Sequence, residues 1–191
     1  LNEYDYDLYW RRTAIGLPDA NTADSNLDLI EFGYDDDGRM TSRTDARDKV
    51  TSYAYDGLGR LDTVTLPLSG DPTYDYDYEP QGMIEEITDP NTNDSNYSYD
   101  DFGNLRQIVT PDAGTFVFTY DKGGNVTERD HNVRYTVDYE YDNIGRLTKI
   151  DYPSSFTDTT FDYDSSYWGS TGYGKNRLTT MTDESGTTKY K

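Results

Sequence analysis

Aromatic and polar residues alternate in short runs along this chain. One run has Tyr74, Tyr76 and Tyr78 at every second position, and another has Phe118 and Tyr120 in the same arrangement. A period of two with many aromatic residues and threonines is typical of a β-strand with one buried face. These runs therefore predict strands.

A second, shorter run follows each aromatic run, and its apolar residues are three positions apart. Leu61 and Val64 form one such pair, and Leu147 and Ile150 form another. This spacing does not fit a flat strand, because side chains on one face recur every two residues. A bulge or a strong local twist would reconcile it, and the sequence leaves these two alternatives open.

A recurring motif, Tyr-Asp-x-x-Gly followed by Arg or Asn, separates the two runs. Degenerate copies open the chain at Tyr6, where Trp10 takes the place of the glycine, and close it at Tyr163. A fixed period of about 21 residues predicts an all-β fold, a repetitive antiparallel β-hairpin array of about 14 to 16 strands. We expect a single array over residues 1–191, with an insertion at 165–176 and no helix. The regular copies begin at Tyr34, Tyr55, Tyr78, Tyr99, Tyr120 and Tyr141.

The motif predicts a tight turn rather than a chemical site. Asp is favoured at the first position of a type I turn, where its carboxylate accepts a backbone N–H, and Gly supplies the positive φ that lets the chain rejoin the hairpin. One copy replaces Asp by Glu79 and adds Pro80, whose fixed φ suits the second turn position. It keeps the turn while changing the chemistry, which weighs against catalysis. The predicted turn residues are Asp35, Gly38, Asp56, Gly59, Pro80, Gly82, Asp100, Gly103, Asp121, Gly124, Asp142 and Gly145.

An arginine follows the turn in several copies. We expect these arginines to lie near the tyrosine rings and carboxylates of neighbouring repeats, in cation–π and ion-pair ladders, with anion or substrate binding as the alternative. Asn104, Asn125 and Met83 hold the same place in other copies, so the position tolerates the loss of charge. The arginines are Arg11, Arg39, Arg60 and Arg146.

Charge and composition narrow the range of partners. The chain has 37 Asp and Glu against 17 Lys and Arg, a net charge of −20, which repels nucleic acids and anionic lipid surfaces. It has no cysteine and no apolar run long enough for membrane insertion. We expect the single histidine, His131, to be a surface loop residue, and we predict no enzymatic activity.

Two sets of residues are candidates for ligand binding. Two similar loops have oxygen-bearing side chains at spacings seen in calcium loops, although a simple polar turn explains them too. Exposed aromatic residues, most of them in the insertion, could stack on sugars or pack structurally. The calcium candidates are Asp19, Asn21, Asp24, Asp89, Asn91, Asn93 and Asp94, and the sugar-stacking candidates are Trp10, Tyr167, Trp168 and Tyr173.

The motif and its register resemble the Rhs/YD-repeat family, whose signature is Tyr-Asp-x-x-Gly-Arg-Leu. The stretch TDARDKVTSYAYDGLGRLDTVT at 44–65 fits it well, and the resemblance covers essentially the whole chain. It implies a continuous β-sheet that forms a hollow shell in secreted and surface proteins, including toxin-complex components and teneurins. Toxin members end in a self-cleaving core with an Asp-Pro-x-Gly motif. Here Asp89-Pro90 is followed by Asn91-Thr92, so self-cleavage is not carried over.

The start at Leu1 and the strand-like ending TTKYK lead us to expect a piece of a longer chain. We expect a structural shell or fibre segment of a secreted or surface-displayed bacterial protein. Its partners would be neighbouring YD repeats of the same or identical chains and an enclosed payload or a polysaccharide. The alternative is a carbohydrate-binding or adhesion module that uses the exposed aromatic residues.

Overall fold

The computed structural model describes residues 3–16, 29–153, 156–164 and 176–190, and seventeen β-strands lie within them. The predicted all-β array of antiparallel hairpins, with about 21 residues per repeat, is confirmed. There is one strand more than the largest number expected, because the last strand, Gly186–Lys189, follows the eighth motif hairpin and pairs with the strand before it. No helix among the described residues has the length and apolar character that a membrane span requires.

The chain divides into two units, Leu1–Ser95 and Asn96–Lys191. In the first unit, each strand from β1 to β7 pairs antiparallel with the strand that follows it. The motif turns join β1 to β2, β3 to β4, β5 to β6 and β7 to β8, while other described turns join β4 to β5 and β6 to β7. The strands are β1 (Glu3–Tyr6), β2 (Arg12–Gly16), β3 (Leu29–Tyr34), β4 (Met40–Thr44), β5 (Val50–Tyr55), β6 (Leu61–Thr65), β7 (Thr73–Tyr78) and β8 (Ile84–Thr88).

The second unit has the same meander, from β9, most of whose residues belong to it, to the last strand. Each strand again pairs antiparallel with the next. The strands are β9 (Asp94–Tyr99), β10 (Leu105–Thr110), β11 (Gly114–Tyr120), β12 (Val126–His131), β13 (Thr136–Tyr141), β14 (Leu147–Asp151), β15 (Thr159–Tyr163), β16 (Leu178–Asp183) and β17 (Gly186–Lys189).

A bulge beside each motif turn explains the three-residue spacing of the return strands. Tyr55 pairs with Leu61, but the residue before Tyr55 pairs with Thr63, so Asp62 is an extra residue on β6. The extra residue returns Leu61 and Val64 to the same face, opposite Tyr55 and Tyr53. The structure therefore decides the alternative that the sequence left open in favour of the bulge.

Few side chains are fully buried in either unit. Among the described residues, Ala14 and Val137 are the only buried hydrophobic residues, while the strand tyrosines and aliphatic residues are mostly half-buried. Stability must then come largely from contacts between adjacent strands and turns, as in other repeat arrays.

The expectation that His131 lies on the surface is wrong. His131 ends β12 with only 7% of its surface exposed, and its Nε2 lies 2.6 Å from the carbonyl oxygen of Ala113. Its ring meets the Phe116 ring edge-on, with centroids 4.5 Å apart. The pairing of β11 with β12 places Phe116 opposite His131 and buries the imidazole. The prediction was wrong because it placed His131 in a loop and did not include this pairing.

Candidate functional site

The motif turn is built by its aspartate and its glycine. In the copy at Tyr55, the backbone N–H of Asp56 donates to the Arg60 carbonyl and that of Gly59 donates to the Asp56 carbonyl, each at 2.9 Å. Asp56 Oδ1 accepts the backbone N–H groups of Leu58 and Arg60, also at 2.9 Å each. Gly59 has a φ of 80°, the left-handed conformation that closes this type of hairpin.

The same backbone frame recurs in the other copies. In the Glu79 copy the frame holds without a carboxylate cap among the described residues: the Glu79 N–H donates to the Met83 carbonyl at 2.9 Å, and Gly82 donates back to Glu79 at 2.8 Å. The backbone geometry thus tolerates the loss of the Asp side chain when Pro80 follows. The remaining glycine copies of the frame start at Asp35, Asp100, Asp121 and Asp142.

The first copy places Trp10 where the others have glycine. Its φ is 64°, and its N–H donates to the Asp7 carbonyl at 3.1 Å, so a bulky side chain adopts the left-handed conformation here. Trp10 is 85% exposed and the adjacent Tyr9 is 79% exposed. Of the sugar-stacking candidates, Trp10 is presented on a turn, whereas Tyr167, Trp168 and Tyr173 fall outside the described residues.

Each motif arginine pairs with the aspartate of its own turn, and this corrects one part of the predicted ladder. The distances from Arg Nε to the carboxylate are 2.7 Å in the Asp35 and Asp56 copies and 2.6 Å in the Asp142 copy. The five-residue loop brings position i+4 back over position i, so the nearest carboxylate is local. Arg146 also reaches a neighbouring turn, with Nη2 at 2.8 Å from Asp164.

The guanidinium groups lie over the tyrosine ring of the following repeat. Arg60 is 4.4 Å from the centroid of Tyr78, and Arg146 is 4.3 Å from that of Tyr163. Arg11 over Tyr34, at 4.7 Å, and Arg39 over Tyr55, at 5.1 Å, repeat the arrangement. Cation–π contacts of this kind link one repeat to the next.

The motif tyrosine makes a second link, in the opposite direction. Its hydroxyl donates to a main-chain carbonyl of the preceding repeat, as Tyr55 does to Met40 at 2.8 Å and Tyr78 does to Leu61 at 2.6 Å. Burial raises the pKa of Tyr78, as it raises those of Tyr120 and Tyr141, whose hydroxyls make the equivalent bonds.

Two copies carry asparagine in place of arginine. Asn104 Nδ2 donates to Asp100 and Asn125 Nδ2 donates to Asp121, each at 2.9 Å, so the contact within the turn survives. The amide is too short to reach the next repeat. Within the described part of the chain no cation covers the rings of Tyr120 and Tyr141.

The turn geometry stabilises the charged form of each motif aspartate. For Asp56, the backbone N–H of Arg60 is the largest influence, and with the Arg60 guanidinium it lowers the pKa below 3.8 against the opposing effect of burial. For Asp100, the side-chain amide of Asn104 is the largest influence and lowers the pKa in the same direction.

The calcium candidates in the second acidic loop already have partners. Asp89 Oδ1 accepts the N–H groups of Asn91 at 2.7 Å and Asn93 at 2.9 Å, while Asn93 Nδ2 is 3.0 Å from Asp89 Oδ2. Asp94 Oδ1 accepts the hydroxyl of Thr88 at 2.9 Å. No group of three or more potential metal-binding residues occurs among the described residues. Asp19, Asn21 and Asp24 lie outside them.

One cluster of ion pairs, around Lys149, was not predicted from the sequence. Lys149 Nζ lies 2.8 Å from Asp151 and 2.9 Å from Asp158, and these hydrogen bonds raise the pKa of Lys149. The i, i+2 spacing of Lys149 and Asp151 on β14 is a signal for this pair, since such residues share one face of a strand. Asp158 comes from the loop before β15, which the sequence pattern does not position.

Comparison with known proteins agrees with this architecture. The profile of the family described as Teneurin YD-shell matches residues 12–119. No curated protein sequence matches the chain.

Several solved structures are similar in fold. A crystal structure of TcdB2–TccC3 without its hypervariable C-terminal region has a TM-score of 0.66 and 18% identity, covering 92% of this chain and 11% of that one. A crystal structure of TcdB2–TccC3–TEV has a TM-score of 0.68 and 18% identity, covering 97% of this chain and 11% of that one. A structure of a Photorhabdus luminescens Tc holotoxin pore has a TM-score of 0.65 and 19% identity, covering 93% of this chain and 11% of that one. This chain therefore spans about a ninth of the length of these neighbours.

Proposed function

The chain belongs to the teneurin YD-shell family, and from that premise we propose that it is a wall segment of a shell that encloses a payload in a secreted or surface-displayed bacterial protein. Its role there is structural and not catalytic. The observation that carries the proposal is the two-way link between repeats, an arginine over the next tyrosine ring and a tyrosine hydroxyl to the preceding carbonyl.

A wall that excludes solvent and proteases needs each repeat to be fixed to its neighbours. In the first unit, Arg60 meets its own Asp56, the ring of Tyr78 and, at 3.4 Å, the carbonyl of Glu79. One side chain thus joins a turn to the following turn. The arginine links join the copies that carry arginine, and the tyrosine hydroxyl links continue at Tyr120 and Tyr141, so both kinds of copy are fixed to a neighbouring repeat.

The neighbours in structure support the toxin-related form of this proposal. Their names describe TcdB2–TccC3 assemblies and a Tc holotoxin pore. By analogy, we assign the partners of this chain as further YD repeats, together with an enclosed polypeptide. A chain of this size would supply only a part of the wall.

The experiment uses the full-length protein in which this segment occurs. Electron cryomicroscopy should show the repeats as the wall of a closed chamber, with density inside it. Limited proteolysis should spare the enclosed segment in the intact protein and digest it after denaturation. Repeats in an open filament, with no enclosed density and no protected fragment, would overturn the proposal.

Location is tested separately. Protein recovered from the culture medium, or digested by protease added to intact cells, would support secretion or surface display. Recovery only from the cell interior, with no digestion on intact cells, would contradict secretion and surface display. The structural role in the shell wall would still be tested by the electron cryomicroscopy.

A further inference from the structure

A cleft lies where the second unit lacks a motif arginine. It has a volume of about 540 Å³, and its walls include Asp100, Phe102, Asn104, Tyr120, Asp121 and Lys122. We name it the Asn104 cleft. It separates the turn that starts at Asp100 from the turn that starts at Asp121, the region that an arginine spans in the sister copies.

The sister copies show what a guanidinium does in this position. Arg11 is held by its own Asp7 at 2.6 Å, lies over the ring of Tyr34 and donates to the Asp35 carbonyl at 3.1 Å. Arg60 makes the equivalent three contacts. The three acceptors are therefore the carboxylate of one turn, the next motif ring and the next turn.

The Asn104 cleft contains the same three acceptors. Asp100 is the carboxylate, Tyr120 is the ring, and Asp121 begins the next turn. Asn104 occupies only the first of the three contacts, through its amide at 2.9 Å from Asp100 Oδ2. A carboxylate oxygen can accept more than one hydrogen bond, so Asp100 retains capacity for a second donor.

The neighbouring turn glycine leaves room beside the Asn104 cleft. A Cβ atom added to Gly59 would lie 3.0 Å from Arg39 Nη1, because that arginine reaches across from the preceding turn. A Cβ atom added to Gly124, which borders the Asn104 cleft, would meet nothing within 4 Å. Such room at a turn glycine is compatible with an arginine beside it, since a Cβ atom added to Gly82, in the turn that Arg60 reaches, would also meet nothing within 4 Å.

We propose that the Asn104 cleft binds an arginine side chain supplied by another polypeptide, which takes the place of the missing motif arginine. Planar guanidinium suits this place better than ammonium because it can stack on a ring while donating to a carboxylate. The net charge of −20 favours a basic partner and disfavours a second copy of this chain. This inference does not depend on the shell role.

Lys122 is the one cation on the cleft wall, and it shapes the binding. It forms no ion pair with the described residues, and it follows Asp121 at the tip of its turn. A positive charge there opposes an incoming guanidinium. Lys122→Gln should therefore strengthen binding of an arginine peptide.

The test is a titration of the isotope-labelled 191-residue chain with an N-acetylated, C-amidated Gly-Arg-Gly peptide, followed by amide chemical shifts. Saturable shifts should concentrate at Phe102, Gly123 and Gly124. The isosteric citrulline peptide, which lacks the charge, should bind roughly tenfold more weakly or not at all. A lysine peptide should also bind more weakly.

Asn104→Arg is the decisive variant, because four sister copies already carry arginine there and the fold accommodates it. It should fill the cleft and abolish the saturable shifts, and Tyr120→Leu should weaken them by removing the ring. Three results would overturn the proposal: equal binding of the citrulline peptide, undiminished binding to Asn104→Arg, or shifts spread over the acidic surface. Concentration-dependent shifts without peptide would also overturn it, because they would identify a second copy as the occupant.

Discussion

The arginine turns of the first unit and the asparagine turns of the second share one backbone and differ in what they touch. At Asp56 and at Asp100 the carboxylate accepts the same two backbone N–H groups, and the following glycine has a φ near 80°. Arg60 then extends to Tyr78, whereas Asn104 stays within its own turn. The turn is thus determined by Asp and Gly, and the link between repeats is added by Arg.

This separation of roles has a physical basis. Turn formation depends on φ angles and on backbone hydrogen bonds within five residues, so side chains as different as Arg, Asn and Met occur after the glycine. A link to the next repeat needs a long side chain with several donors and a flat face, which arginine has and asparagine lacks. The two kinds of copy should therefore respond differently to matched substitutions.

The largest difference is expected at the turn glycines. Gly59→Ala should destabilise by about 1–3 kcal/mol, because alanine is strained at a φ of 80° and its Cβ would displace Arg39 Nη1. Gly124→Ala has the same strain but no neighbour within 4 Å, so it should cost about 1–2 kcal/mol. Urea unfolding followed by circular dichroism measures both.

Gly57→Ala is the matched control, since Gly57 does not have a positive φ and an added Cβ would meet nothing within 4 Å. It should be close to neutral or slightly stabilising. If Gly57→Ala lowered the free energy of unfolding as much as Gly59→Ala, the destabilisation would come from any substitution in the turn and not from the left-handed conformation or the contact with the arginine.

The second largest difference is expected when the residue after the glycine is replaced by alanine, because the loss of unfolding free energy should be greater in an arginine turn than in an asparagine turn. Arg60→Ala removes the contacts to Asp56 and to the Tyr78 ring, and we expect a loss of about 1–2 kcal/mol in unfolding free energy. Asn104→Ala removes one amide hydrogen bond and should cost about 0.5–1.5 kcal/mol. Thermal unfolding of the two variants beside the parent chain gives the difference.

Tyr78→Leu in the Arg60→Ala background tests the ring contact by itself. If the ring matters, the second substitution should cost less in that background than in the parent chain. Equal costs in both backgrounds would show that Arg60 stabilises the chain through Asp56 and the Glu79 carbonyl and not through the Tyr78 ring.

Acid should weaken both kinds of turn. Hydrogen bonds hold the pKa values of Asp56 and Asp100 below their ordinary value of 3.8, so their contribution to stability is present above that pH and is lost as the pH falls through the lower, folded-state values. The urea midpoint of unfolding, measured from about pH 6 down to about pH 2, should fall as the pH decreases. Asp56→Asn should flatten part of that fall, and an unchanged profile would exclude Asp56 as a contributor.

The local part of this fold could be predicted from the sequence, and the contacts between strands only in part. Alternating tyrosines and the Asp–Gly spacing are signals within a few residues, and they predict the hairpins. Arg60 pairs with Asp56 because the turn places these two residues beside each other. The sequence does not show this geometry, so the carboxylate of a neighbouring repeat was expected as the partner. The burial of His131 depends on Phe116 across the sheet, which no local pattern near His131 indicates.

The smallest expected effect comes from converting an asparagine turn into an arginine turn. Asn104→Arg should stabilise the second unit by about 0.5–1 kcal/mol, because the guanidinium would add a contact with the Tyr120 ring while keeping one with Asp100. The gain is small because ordering a long side chain offsets part of the new contact. Asn104→Lys is the control that adds the same charge without a planar group. If lysine stabilised the chain as much as arginine, relief of the negative charge would explain the gain, and the arginine turns would differ from the asparagine turns in charge rather than in their link to the next repeat.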